Sequence, residues 1–207
     1  MVARHLIARA LIGLATALPL ALPLSLTPAS RAVADPAVQG ISVGMLTWFA
    51  ASFFLPDSDR APTDRILIGP TMFDPLDSDN ESTGLRLEYH SPFKVWKFSP
   101  FAGFEATLDS GALAYAGIRL ETEIFDRIVV SPNLAAAVYS NGGGKNLGSS
   151  LVLRSGFDIA YEFDEGYRLG LAFHHMSHGE FFSDSNPGTE MIALTFSSPV
   201  PVPTTSR

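Results

Sequence analysis

Along residues 151–163, Leu151, Leu153, Phe157, Ile159, Tyr161 and Phe163 share one parity, while Val152, Arg154, Gly156, Asp158, Ala160 and Glu162 share the other. Successive side chains of a β-strand point to opposite faces, so one face of this stretch is greasy and aromatic and the other charged or small. The next stretch, 166–178, repeats the pattern, with Tyr167, Leu169, Leu171 and Phe173 opposite Arg168, Gly170, Ala172 and His174. Asp164-Glu165-Gly166 reads as a tight turn between the two. Residues 189–198 place Ile192, Leu194 and Phe196 on one face, and 84–91 set Leu85, Leu87 and Tyr89 against Arg86, Glu88 and His90. In a soluble sandwich the polar face would look outward. In a small outer-membrane barrel it looks inward, and the greasy face meets lipid.

The pattern predicts strands near 40–53, 84–91, 99–108, 111–124, 127–139, 150–163, 166–178 and 189–198. These make an eight-stranded antiparallel transmembrane outer-membrane β-barrel, all-β in class. Residues 55–83 read as a long connection with room for a short strand at Ile66-Leu67-Ile68, and Asn141-Gly142-Gly143-Gly144 as a flexible loop. Arg86, Arg154, Arg168, Glu88, Asp158 and Glu162 fall on the inward parity and are expected to pair in the lumen, because buried charges need partners.

Residues 1–34 differ from the rest. Arg4 and Arg9 precede an uncharged apolar run from Ala10 to Leu26, and Ala32-Val33-Ala34 then offers small residues for cleavage. This is the anatomy of a secretory signal. Pro19 and Pro23 inside the run argue against a membrane-spanning helix. The expected organisation is a removed signal peptide at 1–34, a barrel over 35–198 and a Pro/Ser/Thr-rich tail at 199–207. Cleavage would remove three arginines and no acid, taking the net charge from −7 to −10.

Composition narrows the choice further. The chain has 207 residues, and its 17% of charged residues is low beside the roughly one quarter usual in soluble domains. An acidic balance argues against nucleic acid as a partner. With no cysteine, disulfides and thiolate chemistry are excluded. Export without cysteine suits the bacterial envelope, and the strand pattern selects its outer membrane.

Three polar residues break the greasy face near one rim. His175 and Ser177 share parity with Leu169, Leu171 and Phe173, and Glu190 shares parity with Ile192, Leu194 and Phe196 on a strand expected to pair. Polar groups facing hydrocarbon are costly unless paired and near the interface. A Ser two residues from a His, with an acid on the neighbouring strand, has the makings of nucleophile, base and orienting partner. The plain alternative is a set of interfacial residues that tolerate water. His174, His175 and His178 do not suggest a metal, since parity puts His174 inside and His175 outside. No metal or organic cofactor is called for by this chemistry.

The order His175-Met176-Ser177-His178, then Asn186-Pro187-Gly188-Thr189-Glu190, then a final strand from Met191 to Phe196 resembles the PagL-type lipid A 3-O-deacylase family, also labelled acyloxyacyl hydrolase-like. That family's pattern is His-x-Ser-Asn, a short loop, Asn-x-Gly-x-Glu and a last strand. Leu153-Arg154-Ser155-Gly156 and Arg168 to Phe173 are also similar to it. The resemblance implies Ser177 as nucleophile, His175 as general base and Glu190 as orienting acid, in a serine carboxylic-ester hydrolase. It implies lipid A of lipopolysaccharide as substrate, losing an ester-linked acyl chain. Asn186 and a backbone N–H near His178 or Gly179 become the candidate oxyanion donors. The chain departs from the pattern in having His178 where the family has Asn, and in a longer loop from Ser177 to Glu190.

Two other functions fit the same strands. One is a non-catalytic structural or adhesion barrel, for which Ser177 and His175 tolerate Ala. The other is an esterase acting on other membrane lipids such as phospholipids. The expected surroundings are outer-membrane lipid, and a lipid-facing site leaves open a homodimer in which a neighbour shares or blocks it.

Overall fold

The computed structural model describes residues 63–76, 80–178 and 187–200, together with Thr47, Ala50, Ala51 and Phe54. The chain divides into two compact units, 1–56 and 57–207. In the first unit Thr47, Ala50 and Ala51 are helical, and Phe54 closes a turn whose amide donates to the Ala51 carbonyl at 2.9 Å. The expected strand at 40–53 is therefore not the first strand of the barrel. The proposed signal peptide at 1–34 and the tail beyond Val200 lie outside the described residues.

Among the described residues the second unit holds nine strands: β1 (Arg65–Phe73), β2 (Ser82–His90), β3 (Ser99–Thr107), β4 (Ala112–Arg119), β5 (Thr122–Ile124), β6 (Ile128–Ser140), β7 (Leu151–Glu162), β8 (Arg168–Ser177) and β9 (Thr189–Pro199). They fill eight positions in the wall, because β4 and β5 both pair with β6 in one register. Arg119 pairs with Asn133 and Thr122 with Val130, so the register carries across the gap. The gap lies opposite Pro132, which has no N–H to give to the ladder. The remaining neighbours pair antiparallel, and β9 returns to β1 to close the sheet. Closure leaves no unpaired edge.

The first strand is β1, inside the stretch that reads as a connection. Its outward residues are Ile66, Ile68, Pro70 and Met72, and its inward ones Arg65, Leu67, Gly69, Thr71 and Phe73. At Gly69 and Pro70 the ladder to β9 is interrupted: that pairing skips two positions, from Ile68↔Phe196 to Thr71↔Ala193. The other seven wall positions fall within a few residues of expectation.

Alternation sorts the two faces as the pattern predicts. Leu85, Leu87, Phe104, Leu151, Leu153, Ile159, Leu169, Leu171, Leu194 and Phe196 are exposed on the outer wall. The lumen is filled largely by side chains. Toward the rim carrying connections 74–81, 141–150 and 178–188 it is filled by Phe73, Leu113, Tyr139, Leu147, Met176 and Met191. At mid-height Arg86 bridges Glu88 (2.6 Å) and Asp158 (3.0 Å), and Arg154 lies 3.7 Å from both Glu88 and Glu105. Tyr115 donates to Glu88 at 2.7 Å and carries the Arg154 guanidinium over its ring at 4.2 Å. Gly103 lies beneath that ring, where a Cβ would stand 2.5 Å from the Tyr115 hydroxyl. At the far end Glu162 takes Arg65 (3.1 Å) and Arg168 (2.5 Å), while Arg119 and Arg168 both reach Glu121. The six expected lumen charges are thus all paired, and Arg65, Glu105, Arg119 and Glu121 join them. His90 and His174 also point inward, as parity requires.

The Asn141–Gly144 loop is held rather than loose. The Gly143 amide donates to the Asp109 carbonyl at 2.8 Å, and the Gly144 amide to the Asn141 carbonyl at 2.8 Å. Gly142 has φ +54, and any Cβ there would strike the Ser110–Gly111 backbone.

Candidate active site

The site sits where β8 ends and β9 begins. Strand register sets His175 directly opposite Glu190, and on its other side opposite Ser155 of β7. Directly opposed residues hold their Cβ atoms about 4.5–5.5 Å apart, close enough for side chains to touch. The His175 Nδ1 lies 3.0 Å from Glu190 Oε1. A carboxylate only accepts, so Nδ1 carries the proton and Nε2 keeps its lone pair.

The pair is on the outer wall but sheltered. The His175 side chain is 27% exposed and that of Glu190 9%. Glu190 is the second residue of β9, and His175 is two positions from the end of β8. A lipid-facing charge costs least close to the interface, a few kcal/mol less than at the bilayer midplane, roughly. The rim position and the imidazole partner together make an outer-wall carboxylate tolerable here.

Ser177 is the last residue of β8, two residues from His175 on the same face and half-buried. It pairs in register with Leu153 of β7. Among the described residues the Ser177 hydroxyl makes no hydrogen bond to His175. Hydrogen bonds between a nucleophile and its base are often long before substrate closes the site. His178 turns into the lumen and is buried at 1% exposure. Gly179 and Asn186, the remaining oxyanion candidates, lie outside the described residues.

Two residues that parity and motif left without a role matter to the geometry. Gly188 lies against the His175 ring: a Cβ there would stand 2.5 Å from Cε1 and 3.0 Å from Nε2. Its signal in the sequence is the glycine two positions before Glu190. Asp74, the residue after β1, takes a left-handed conformation, φ +53, and turns inward with 1% exposure. Its amide donates to the Glu190 carbonyl at 2.8 Å. Nothing in the local sequence marks it.

A family model for lipid A 3-O-deacylase (PagL) matches residues 80–199. Among solved structures, the crystal structure of the outer membrane enzyme PagL is similar over 66% of this chain and 99% of that one, at 20% identity and TM-score 0.50. A de novo designed transmembrane β-barrel covers 69% of this chain and 98% of its own, at 10% identity and TM-score 0.47. The outer membrane protein Ail of Yersinia pestis covers 66% and 99%, at 14% identity and TM-score 0.42. No curated protein matches. The PagL likeness supports the eight-position barrel fold. The family model spans more than half of the chain and takes in every strand around His175, Ser177 and Glu190 except β1. On that ground the chain belongs to the PagL family of outer-membrane lipid A 3-O-deacylases, hydrolases of an acyl ester.

Proposed function

We propose that this chain is a serine esterase that removes the 3-O-linked acyl chain of lipid A, working from the outer wall of the barrel. The observation that carries the proposal is the His175–Glu190 pair, placed on the lipid-facing wall beside Ser177. A hydrophilic pair is costly on a wall that faces hydrocarbon. A substrate whose acyl chains lie in the membrane brings its ester to the rim where those residues stand.

Chemistry follows from the tautomer. Ser177 Oγ attacks the ester carbonyl carbon while its proton passes to His175 Nε2. Glu190 stabilises the imidazolium through Nδ1. The carbon–oxygen bond to the sugar breaks, and the sugar oxygen takes the proton from Nε2. The acyl chain is then an ester of Ser177. Water attacks that ester and gives its proton to Nε2; the bond to Oγ breaks, Oγ takes that proton back from Nε2 and the fatty acid leaves, which returns Ser177 and His175 to their starting states. Asn186 and an amide near His178 or Gly179 are the proposed donors to the oxyanion.

Purified barrel presented with lipid A vesicles is expected to release a 3-hydroxy fatty acid, and to release none from phospholipid vesicles free of lipopolysaccharide. Release from phospholipid alone would instead make the chain an esterase of other membrane lipids. No release from either would favour a structural barrel.

Gly188 supplies a second test. Gly188→Ala places a methyl group against the Cε1–Nε2 edge of His175, so the ring must leave Glu190 or the loop must shift. A misplacement of about 1 Å costs on the order of 100-fold in rate. The expected outcome is a drop of about that size in kcat with the barrel intact, and Gly188→Ser is expected to be at least as damaging.

A further inference from the structure

We propose that Asp74 is a positioning residue for catalysis, seating Glu190 from the lumen side of the wall; this rests on the Ser177–His175–Glu190 reading above. Three contacts converge on it. Its backbone amide donates to the Glu190 carbonyl at 2.8 Å, its Oδ1 accepts from Thr189 Oγ1 at 3.2 Å, and the same Oδ1 pairs with Lys145 Nζ at 3.0 Å. Asp74 and Thr189 are each 1% exposed, so their contact forms away from water, while Lys145 reaches Asp74 from the partly exposed rim.

The arrangement needs an unusual backbone. Phe73 points into the lumen, so strict alternation would send residue 74 outward. A left-handed turn at φ +53 swings the carboxylate inward instead. Asp and Asn adopt that conformation more readily than other side chains. The clasp therefore joins three rim connections: the one after β1 that begins at Asp74, the one between β6 and β7 that holds Lys145, and the start of β9. Thr189 lies between Gly188, which touches the His175 ring, and Glu190, which bonds it. Fixing Thr189 and the Glu190 carbonyl leaves the Glu190 side chain little freedom to drift from Nδ1. A catalytic constellation needs this kind of support to hold its geometry.

Asp74→Asn is the informative variant, because Asn keeps the left-handed backbone while losing the charge that holds Lys145. Thr189→Val removes the second contact with little change of shape. Each is expected to lower kcat on lipid A vesicles about tenfold at unchanged KM, at matched amounts of folded barrel. In a Glu190→Gln background, Asp74→Asn is expected to have almost no further effect, since residues acting through one another are not additive. The proposal is overturned if Asp74→Asn leaves kcat unchanged, or if it lowers activity by the same factor with and without Glu190. The second result would mean that Asp74 supports the barrel and not the acid. Ser177→Ala is run alongside: activity surviving that change would overturn the triad itself, and the catalytic role of Asp74 with it.

Discussion

Ser177→Ala is expected to stop lipid A deacylation while leaving the barrel folded and inserted. The hydroxyl is the proposed nucleophile. Loss of a nucleophile in a triad costs on the order of 10⁴–10⁶ in kcat, with the residue coming from binding and oxyanion stabilisation. The structural cost is small. Ser177 is half-buried on the outer wall at the end of β8, and among the described residues exchanging its hydroxyl for hydrogen leaves no buried group unpaired. His175→Ala is expected to be about as damaging, because Ser177 then has no base. Glu190→Gln is expected to cost less, since an amide oxygen still accepts from Nδ1 but does not stabilise the imidazolium. Single-turnover release of fatty acid from lipid A vesicles, at equal barrel concentrations, ranks the three.

The second large effect concerns the scaffold. Arg86→Met is expected to lower the unfolding free energy by about 3–5 kcal/mol, the usual consequence of removing one partner from a buried ion pair. Arg86 is fully buried and bridges Glu88 and Asp158, so its loss takes the arginine from Asp158 and leaves Glu88 only the more distant Arg154, at 3.7 Å. Asn133 still donates to Asp158 at 2.9 Å and Tyr115 to Glu88 at 2.7 Å, but neither brings a charge. Urea unfolding of the barrel in lipid vesicles measures the difference. The catalytic wall lies nearer the rim, so kcat of the fraction that remains folded is expected to be close to that of the parent chain.

The contrast between these two variants follows how the chain encodes its parts. Strands β7, β8 and β9 are legible in the sequence because their two faces differ sharply: Leu, Phe and Tyr outward, Arg, Asp, Glu and Gly inward. The same alternation makes His175, Ser177 and Glu190 stand out as polar groups on the wrong face, and register then brings His175 and Glu190 together. β1 is hard to read for the opposite reason. Leu67 and Phe73 make its inward face apolar too, and Pro70 looks like a strand breaker. A closed barrel tolerates that proline because the ladder on the other side, to β2, continues past it from Gly69↔Arg86 to Pro70↔Leu85 and Thr71↔Gly84. Residues 40–53 attract the strand assignment through their apolar content alone, and Thr47, Ala50 and Ala51 are helical instead.

The supporting contacts of the site could not be read this way. Asp74 and Thr189 are 115 residues apart and meet only because β9 closes on β1. The position of Asp74 depends on a turn to positive φ, which no periodicity reports. Gly188 was visible as part of a motif, but its purpose is spatial: the imidazole occupies the place where its side chain would be. Lys145 follows a glycine run that reads as flexible, and the backbone bonds that hold the run come from Asp109 in the β3–β4 turn and from Asn141 in the loop itself.

Mass spectrometry of lipid A tests the central claim most directly. Cells expressing the chain are compared with cells carrying Ser177→Ala at the same outer-membrane level. Loss of one 3-hydroxyacyl mass from lipid A with the intact serine, and none with the variant, is the predicted result. The same loss in both would contradict a Ser177 nucleophile, and an unchanged lipid A in both would contradict deacylation of lipid A by this chain.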